Sequence, residues 1–195
     1  MSRTSSIDRK TTETDIRLSL TVDGQGTCNT QTGIGFFDHM LTALGRHGRL
    51  DLDVVCKGDL EVDAHHTIED VGICLGKAIA EAIGDKAGMT RFGSAYIPMD
   101  EALARAAVDF SGRPYLVFNA NFEEEMIGSF PSALAEEFFR SLSDHARINL
   151  HIDLIRGSNA HHSVEAIFKA VARAVRTAVT IDPTEQGIPS TKGVL

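Results

Sequence analysis

Two histidine doublets, each followed three residues later by a glutamate, are the residues in this chain best suited to metal chemistry. They are His65-His66-x-x-Glu69 and His161-His162-x-x-Glu165. On a helix, the first histidine and the glutamate lie about 40° apart in azimuth and can share one ion, whereas the second histidine points about 100° away from the first. Two ions, or one ion between two helices, therefore suit this spacing better than a single ion on one doublet.

The segments around the two doublets repeat each other. Residues 63–83 and 159–179 align at a shift of 96, with the histidines, the glutamate and the following apolar positions in step at helical spacing. Just before them, residues 48–58 and 146–157 align at a shift of 98 and alternate apolar with polar side chains, as strands do. A repeat of this length and order indicates an internal duplication.

The remaining elements fall in a matching order in the two halves. Helical stretches at 35–48 and 131–146 precede those strands, and hairpin-like strand pairs precede the helices: 15–23 with a short following strand, and 97–110 with 114–122. Each half then reads strand, strand, helix, strand, helix. We predict an α+β fold of two similar halves, each a mixed sheet with two helices packed on one face, related by a pseudo-twofold axis.

We expect residues 1–195 to form a single domain. The repeats cover about 10–86 and 90–182, with a glycine-containing break near 84–88 between them, and residues 183–195 form a C-terminal tail. Hydrophobic residues make up 43% of the chain, which is enough to build a packed core.

The charge and cysteine content exclude several classes of function. A formal net charge of −8 argues against nucleic-acid binding but leaves room for a local phosphate pocket. No apolar run approaches about 18 residues and the N-terminal segment is polar, so we expect no membrane partner and a cytoplasmic location. Cys28, Cys56 and Cys74 lack C-x-x-C spacing and are predicted to be buried reduced thiols.

The internal duplication supplies the further metal ligands that one doublet lacks. If the pseudo-twofold axis brings the two helices together, one histidine of each doublet can face each of two ions. A mixed imidazole and carboxylate shell suits Mn, Fe or Zn rather than Ca. His39 and Glu137 lie 26 and 24 residues before the first histidine of their doublets, and either side chain could complete a metal shell. For Glu137, a solvent-exposed helix face is the alternative.

Several segments together resemble the imidazoleglycerol-phosphate dehydratases of histidine biosynthesis, over almost the whole chain from about Arg9. They are GIGFFDHMLTALGRHG, DAHHTIEDVG, VDFSGRP, GSNAHHSVEAIFKAVARA and IPSTKG. The resemblance implies a hydro-lyase with a centre of two divalent metal ions, usually manganese. The metal ligands that it implies are His39, His65, His66, Glu69, His161, His162 and Glu165. Many members of that family carry histidine where this chain has Glu137, so the identity of that ligand stays open.

The resemblance also implies a substrate pocket. Glu13 corresponds to a substrate-facing acid–base group and, with Glu69 and Glu165, is a candidate catalytic carboxylate. From the residues alone, Glu13 reads as a surface side chain at a strand edge. The phosphate-binding residues that the resemblance implies are Arg91, Arg113, Lys169, Ser190, Thr191 and Lys192. From composition alone the two arginines are ordinary surface cations, whereas Lys169 lies one helical turn after Glu165, on the ligand-bearing side.

The reaction of that family would suit such a site. Imidazoleglycerol phosphate would lose the hydroxyl next to its imidazole ring and a proton from the neighbouring carbon, and the resulting enol would become imidazole-acetol phosphate. Metal ions that hold the ring as imidazolate would help to expel the hydroxyl, and a carboxylate would move the proton. The resemblance further implies a homo-oligomer, with trimers that assemble into a 24-subunit shell and sites between subunits.

Two other functions are compatible with the metal ligands. A dinuclear metallohydrolase of a phosphate ester is one, although such sites usually bridge two ions through carboxylates and this set is rich in imidazole. A non-enzymatic metal-binding shell protein is the other. It would keep the ligands without gathering Glu13, Arg91, Arg113 and Lys192 in one place.

Overall fold

The computed structural model describes residues 3–195. The elements of its first half are β1 (Thr4–Lys10), β2 (Thr14–Thr21), β3 (Cys28–Gln31), α1 (Gly35–Gly48), β4 (Asp51–Gly58) and α2 (His65–Ile83). The elements of the second half are β5 (Phe92–Met99), β6 (Ala102–Asp109), β7 (Tyr115–Asn119), β8 (Met126–Ile127), β9 (Phe130–Pro131), α3 (Leu134–Ala146), β10 (Asn149–Arg156) and α4 (Ala160–Val179). The second half therefore repeats the order of the first, with the short β8–β9 hairpin added.

The two four-stranded sheets share one topology. The first runs β1-β2-β4-β3 and the second β5-β6-β10-β7, and in each the last pair is parallel while the other pairs are antiparallel. Leu18 pairs with Val54 in the first sheet, Ala106 pairs with Ile152 in the second, and all four side chains are buried. The predicted α+β fold of two similar halves, each a mixed sheet with two helices, is confirmed.

The predicted hairpin pairs are wrong. Strand β4 lies between β2 and β3, and β10 lies between β6 and β7, so the neighbours in each sheet come from later in the chain. Residues 97–110, expected as one strand, turn at Asp100 and Glu101 and belong to the β5–β6 hairpin. Asp100 has a positive φ of 48°, a conformation that aspartate tolerates better than most residues.

The sequence pattern also fails to predict β1. This edge strand alternates exposed and half-buried residues, and Ile7 is its apolar side chain that packs against the core. Because an edge strand buries little surface, its sequence does not need the apolar alternation by which strands are recognised.

The four helices lie between the two sheets. Strands such as β2 and β6 alternate buried with more exposed side chains, so each sheet has one covered face. Helices α1 and α2 cover the first sheet, and α3 and α4 cover the second. Between the two halves, α1 packs on α4 and α2 packs on α3. A twofold axis that relates the halves exchanges α1 with α3 and α2 with α4, and so it turns one of these contacts into the other. No helix in residues 3–195 combines the length and apolar character needed to cross a membrane.

Candidate metal centre

A cluster of metal-ligating side chains forms where α1 meets α4. The Nε2 atoms of His39 and His161 each lie 3.1 Å from Oε2 of Glu165. The ligand atoms of all three residues lie within 4.8 Å of one another. The histidine side chains are 51% and 44% exposed, whereas that of Glu165 is 8% exposed. The cluster therefore opens to solvent on its imidazole side and joins the two halves of the chain.

Local structure explains the position of the second doublet. Helix α4 begins at Ala160, and the side chain of Asn159 caps it by accepting a hydrogen bond of 3.0 Å from the backbone N–H of His162. This start places His161 in the first turn and Glu165 one turn later on the same face. On α1, the ring of Phe36 packs edge-on against His161, with 4.9 Å between centroids.

Lys169 neutralises the buried carboxylate. Its Nζ lies 2.6 Å from Oε1 of Glu165, one turn along α4 as the spacing predicts. Burial acts to raise the pKa of Glu165, but the hydrogen bonds from Lys169 and His39 outweigh burial and lower that pKa below its usual value. Glu165 is therefore a carboxylate at neutral pH, with one oxygen held by the lysine and the other directed at the histidines.

This donor set fits a divalent transition metal. Two imidazole nitrogens and one carboxylate oxygen within reach of a single ion are the ligands that Mn, Fe and Zn accept. The negative charge of the carboxylate is buried and already oriented, which reduces the reorganisation that ion binding requires. His39, His161 and Glu165 could hold such an ion with positions left for further ligands.

The first doublet opens α2 and meets other carboxylates of its own half. Nε2 of His65 lies 3.9 Å from Oε2 of Glu69. Nδ1 of His66 lies 3.0 Å from Oδ2 of Asp59, and its Nε2 lies 3.7 Å from Oε1 of Glu13. Glu13, in the turn before β2, thus lies beside the first doublet.

Two carboxylates that the sequence patterns do not single out hold the second histidine of each doublet. Asp59 binds Nδ1 of His66, and Oε2 of Glu101 lies 2.8 Å from Nδ1 of His162. These hydrogen bonds raise the pKa of both histidines, and the bond to His162 lowers the pKa of Glu101 to about 2. With Nδ1 engaged, Nε2 is the nitrogen left for a metal, which is how metal-binding histidines are commonly oriented.

The positions of these carboxylates carry a weak signal in the sequence. Asp59 directly follows β4, at the loop that leads into the first doublet. Glu101 stands one residue before β6, as Glu13 stands one residue before β2. The duplication, applied to the Glu13 position, would therefore have pointed to Glu101.

Within one chain the two doublets do not meet. No ring contact and no ligand cluster in residues 3–195 joins the first doublet to the second. Glu137, on α3, has an Oε2 atom 4.0 Å from Nε of Arg140 and is not part of the cluster around Glu165. A centre that combines both doublets therefore requires a neighbouring chain.

Arg91 lies at the far end of α4 from the metal cluster. Its backbone N–H donates to the carbonyl of Ala178, 2.9 Å away. Ala178 follows Glu165 by 13 residues, which is about 20 Å along a helix. The Arg91 side chain pairs with Asp109 at 2.7 Å and donates to the carbonyl of Pro189 at 2.9 Å, so it holds the C-terminal tail.

Arg113 and the end of the tail lie close together. Arg113 is in the turn before β7, and a Cβ on the neighbouring Gly112 would be 2.8 Å from the carboxyl carbon of Leu195. The other predicted phosphate-binding residues of the tail, half-buried or exposed, are Ser190, Thr191 and Lys192. Lys169, in contrast, belongs to the metal cluster. One chain thus separates most of the predicted phosphate-binding residues from the predicted metal ligands.

Comparisons with known proteins agree on one family. The family model described as imidazoleglycerol-phosphate dehydratase matches residues 32–175. Proteins of that name from Acidiphilium cryptum and Moorella thermoacetica are 60% and 56% identical over 196 and 195 residues, covering all of both chains. The crystal structure of imidazoleglycerol-phosphate dehydratase from Staphylococcus aureus superposes with a TM-score of 0.84 at 45% identity, covering 92% of this chain and 99% of that one.

Proposed function

The chain belongs to the imidazoleglycerol-phosphate dehydratase family of hydro-lyases, and we propose that it converts imidazoleglycerol phosphate to imidazole-acetol phosphate in L-histidine biosynthesis with a dinuclear metal centre. The observation that carries the proposal is the cluster of His39, His161 and Glu165, whose ligand atoms from both halves lie within 4.8 Å of one another. In addition, a carboxylate hydrogen-bonds to the second histidine of each doublet and orients its imidazole ring, as such a centre needs.

Two divalent ions per site, in our proposal manganese, would be held by imidazole and carboxylate groups. The proposed ligands are His39, His65, His66, Glu69, His161, His162 and Glu165, with Glu137 as a further candidate. When bound, the ions would supply the positive charge that stabilises the ring of the substrate as an anion and favours departure of the hydroxyl. Asp59 and Glu101 would orient the second histidine of each doublet by accepting from Nδ1.

The side chains of the protein would carry the proton transfer. The substrate loses hydroxide from the carbon attached to the ring and a proton from the next carbon, so that a carbon–carbon double bond forms and the enol becomes the ketone. Glu13 is exposed and lies 3.7 Å from His66, where it could exchange that proton with substrate. Glu69 and Glu165 are the other candidate carboxylates, and Lys169 keeps Glu165 ionised.

The phosphate of the substrate would be bound by residues of a neighbouring subunit. Arg91, Arg113 and the tail residues Ser190, Thr191 and Lys192 offer the guanidinium, ammonium and hydroxyl groups that phosphate requires. Only Lys169 of the proposed set lies in the metal cluster of its own chain. This separation supports a homo-oligomer whose sites are shared between chains, and from the resemblance to the family we propose that it consists of trimers assembled into a 24-mer. The cytoplasmic location and the absence of nucleic-acid and membrane partners stay predictions.

The proposed activity has a direct test. Purified protein, stripped with chelator and reloaded with Mn²⁺, should form imidazole-acetol phosphate from imidazoleglycerol phosphate. Glu13→Gln should bind the metal as the wild type does but lose about 100-fold or more in kcat, the usual contribution of a positioned acid–base group. Glu185→Gln, an exposed tail carboxylate, is the matched control. Release of inorganic phosphate, or no turnover with metal fully bound, would contradict the proposal.

A further inference from the structure

A group of basic side chains surrounds a surface cavity beside the C-terminal ends of α1 and α4. The cavity has a volume of about 460 Å³. The residues that line it are Gln25, Arg46, His47, Arg49, Arg173 and Arg176. We call the five basic residues among them the arginine patch. On α4, Arg173 follows Lys169 by one helical turn and Glu165 by eight residues, which is about 12 Å along the helix.

Within residues 3–195, no acidic side chain forms an ion pair with the arginine patch. No ion pair within 4.0 Å involves any of its five residues in the part of the chain that the structure describes. Two carboxylates of the neighbouring loops are engaged elsewhere: Asp23 pairs with Arg3, and Asp51 accepts hydrogen bonds from the backbone N–H groups of Gln25 and Thr27. This absence is notable in a chain whose formal net charge is −8.

Burial and neighbouring positive charges act on two residues of the arginine patch. Burial and the charges of Arg49 and Arg173 lower the pKa of the Arg176 guanidinium. Burial first, and then the positive charges of Lys169 and Arg173, lower the pKa of His47 and outweigh the opposing charge of Glu165. Like charges gathered without a counterion destabilise the folded chain, and a bound anion would relieve that repulsion.

The duplicated fold provides an internal control. Cations near helix C-termini are favoured by the helix dipole, which is the simplest reason for this cluster. The corresponding ends of α3 and α2 carry the same dipole, however, and their equivalent positions are Asp144, His145, Arg147, Lys77 and Ala80. The place where α1 and α4 end therefore concentrates four arginines, whereas the equivalent place on α3 and α2 mixes both charges, so the dipole alone does not account for the arginine patch.

We infer that the arginine patch is a binding site for a phosphate-bearing anion, separate from the metal cluster. Guanidinium groups present paired N–H donors that match phosphate oxygens, and four of them around one cavity can bind a multiply charged group from several sides. The phosphate could belong to inorganic phosphate species or to the phosphorylated substrate itself. The inference does not depend on the reaction proposed above.

Calorimetric titration of the metal-free oligomer with inorganic pyrophosphate tests this site. The double variant R173Q/R176Q should bind one pyrophosphate fewer per chain than the wild type, or bind it about tenfold or more weakly. The double variant R17Q/R105Q removes two exposed arginines from the outer faces of the sheets and should leave binding unchanged. A parallel titration with imidazoleglycerol phosphate shows whether the substrate uses the same site.

The result that overturns the inference is equal stoichiometry and affinity for pyrophosphate in R173Q/R176Q and the wild type. A change in oligomer mass in R173Q/R176Q, without a change in anion binding, would instead assign the arginine patch to a contact between chains and would also overturn it. Because these side chains lie at the surface, thermal unfolding should confirm that the variant is folded. If R173Q/R176Q does not fold, the double variant R46Q/R49Q, which removes two positive charges from the α1 side of the arginine patch, is used in its place.

Discussion

At the scale of the residue, the site depends on carboxylates that fix imidazoles. Glu165 receives both His39 and His161 on one oxygen and Lys169 on the other. Asp59 and Glu101 occupy Nδ1 of the second histidines. An imidazole held at one nitrogen presents the other in a defined direction, and so these acidic side chains prepare the donors before any ligand arrives.

The cysteines give a residue-scale prediction with a pH dependence. Burial raises the pKa of Cys56 to about 12 and that of Cys74 to about 11. A raised pKa keeps a thiol protonated as pH increases, so at pH 8 roughly one Cys74 in a thousand, and fewer of Cys56, would be the reactive thiolate. We expect iodoacetamide at pH 8 to leave both unmodified in the folded protein and to label both in urea, as measured by peptide mass spectrometry.

Cys28 serves as the internal reference for that experiment. It is only half-buried, in contrast to the predicted burial, and all three cysteines are free. Its pKa is also raised, by burial first, so its labelling should be slower than that of a small thiol but faster than that of the other two. Labelling of Cys56 in the folded protein as fast as that of Cys28 would contradict the burial described here.

At the scale of the element, glycines decide how closely the ligand-bearing helix α2 approaches α3. A Cβ on Gly76 would lie 2.7 Å from the carbonyl oxygen of Leu142 and 2.9 Å from the backbone N of Ala146. A Cβ on Gly72 would lie 2.8 Å from the carbonyl oxygen of Phe138. Since backbone atoms cannot move aside as a side chain can, any larger residue at these positions must separate the two helices.

We therefore expect Gly76→Ala to destabilise the protein by about 2 kcal/mol, through overpacking against α3. The matched control is Gly35→Ala at the start of α1, where a Cβ would meet nothing within 4 Å. That control should change stability by less than about 0.5 kcal/mol. Midpoints of urea unfolding at equal chain concentration measure both, and an unchanged midpoint for Gly76→Ala would show that the helices are not in close contact.

At the scale of the whole molecule, one chain holds the parts of the proposed site at separate places. Arg91 donates a backbone hydrogen bond to Ala178. Ala178 lies about 20 Å along α4 from Glu165 and its metal cluster. The first doublet lies outside that cluster. A substrate that touches both the metal and the phosphate-binding residues other than Lys169 would have to bridge neighbouring subunits, which is possible in a closed homo-oligomer.

Mixed oligomers test this division. Glu165→Gln and Arg113→Gln should each be inactive alone. Co-assembled in equal amounts they should regain up to about a quarter of wild-type activity, because some sites then take both native residues from different chains. Co-assembly of Glu165→Gln with His161→Asn, two changes in one cluster, should regain none. Native mass spectrometry confirms mixing, and mixed oligomers without recovered activity would mean that each site belongs to one chain.

The sequence was enough to predict four features, because each depends on spacing within one segment: the repeat, the types of most elements, the two histidine doublets and the contact of Lys169 with Glu165. Strand β1 and the turn between β5 and β6 could not be predicted from the sequence. Both β1 and β5 are edge strands with exposed and half-buried side chains, and such strands have little apolar pattern. The approach of His39 to Glu165, which are 126 residues apart, was decided by the packing of α1 on α4. The carboxylates on the second histidines were also decided in three dimensions. Local periodicity specifies which face of an element is buried, and only the packed fold specifies which distant face it meets.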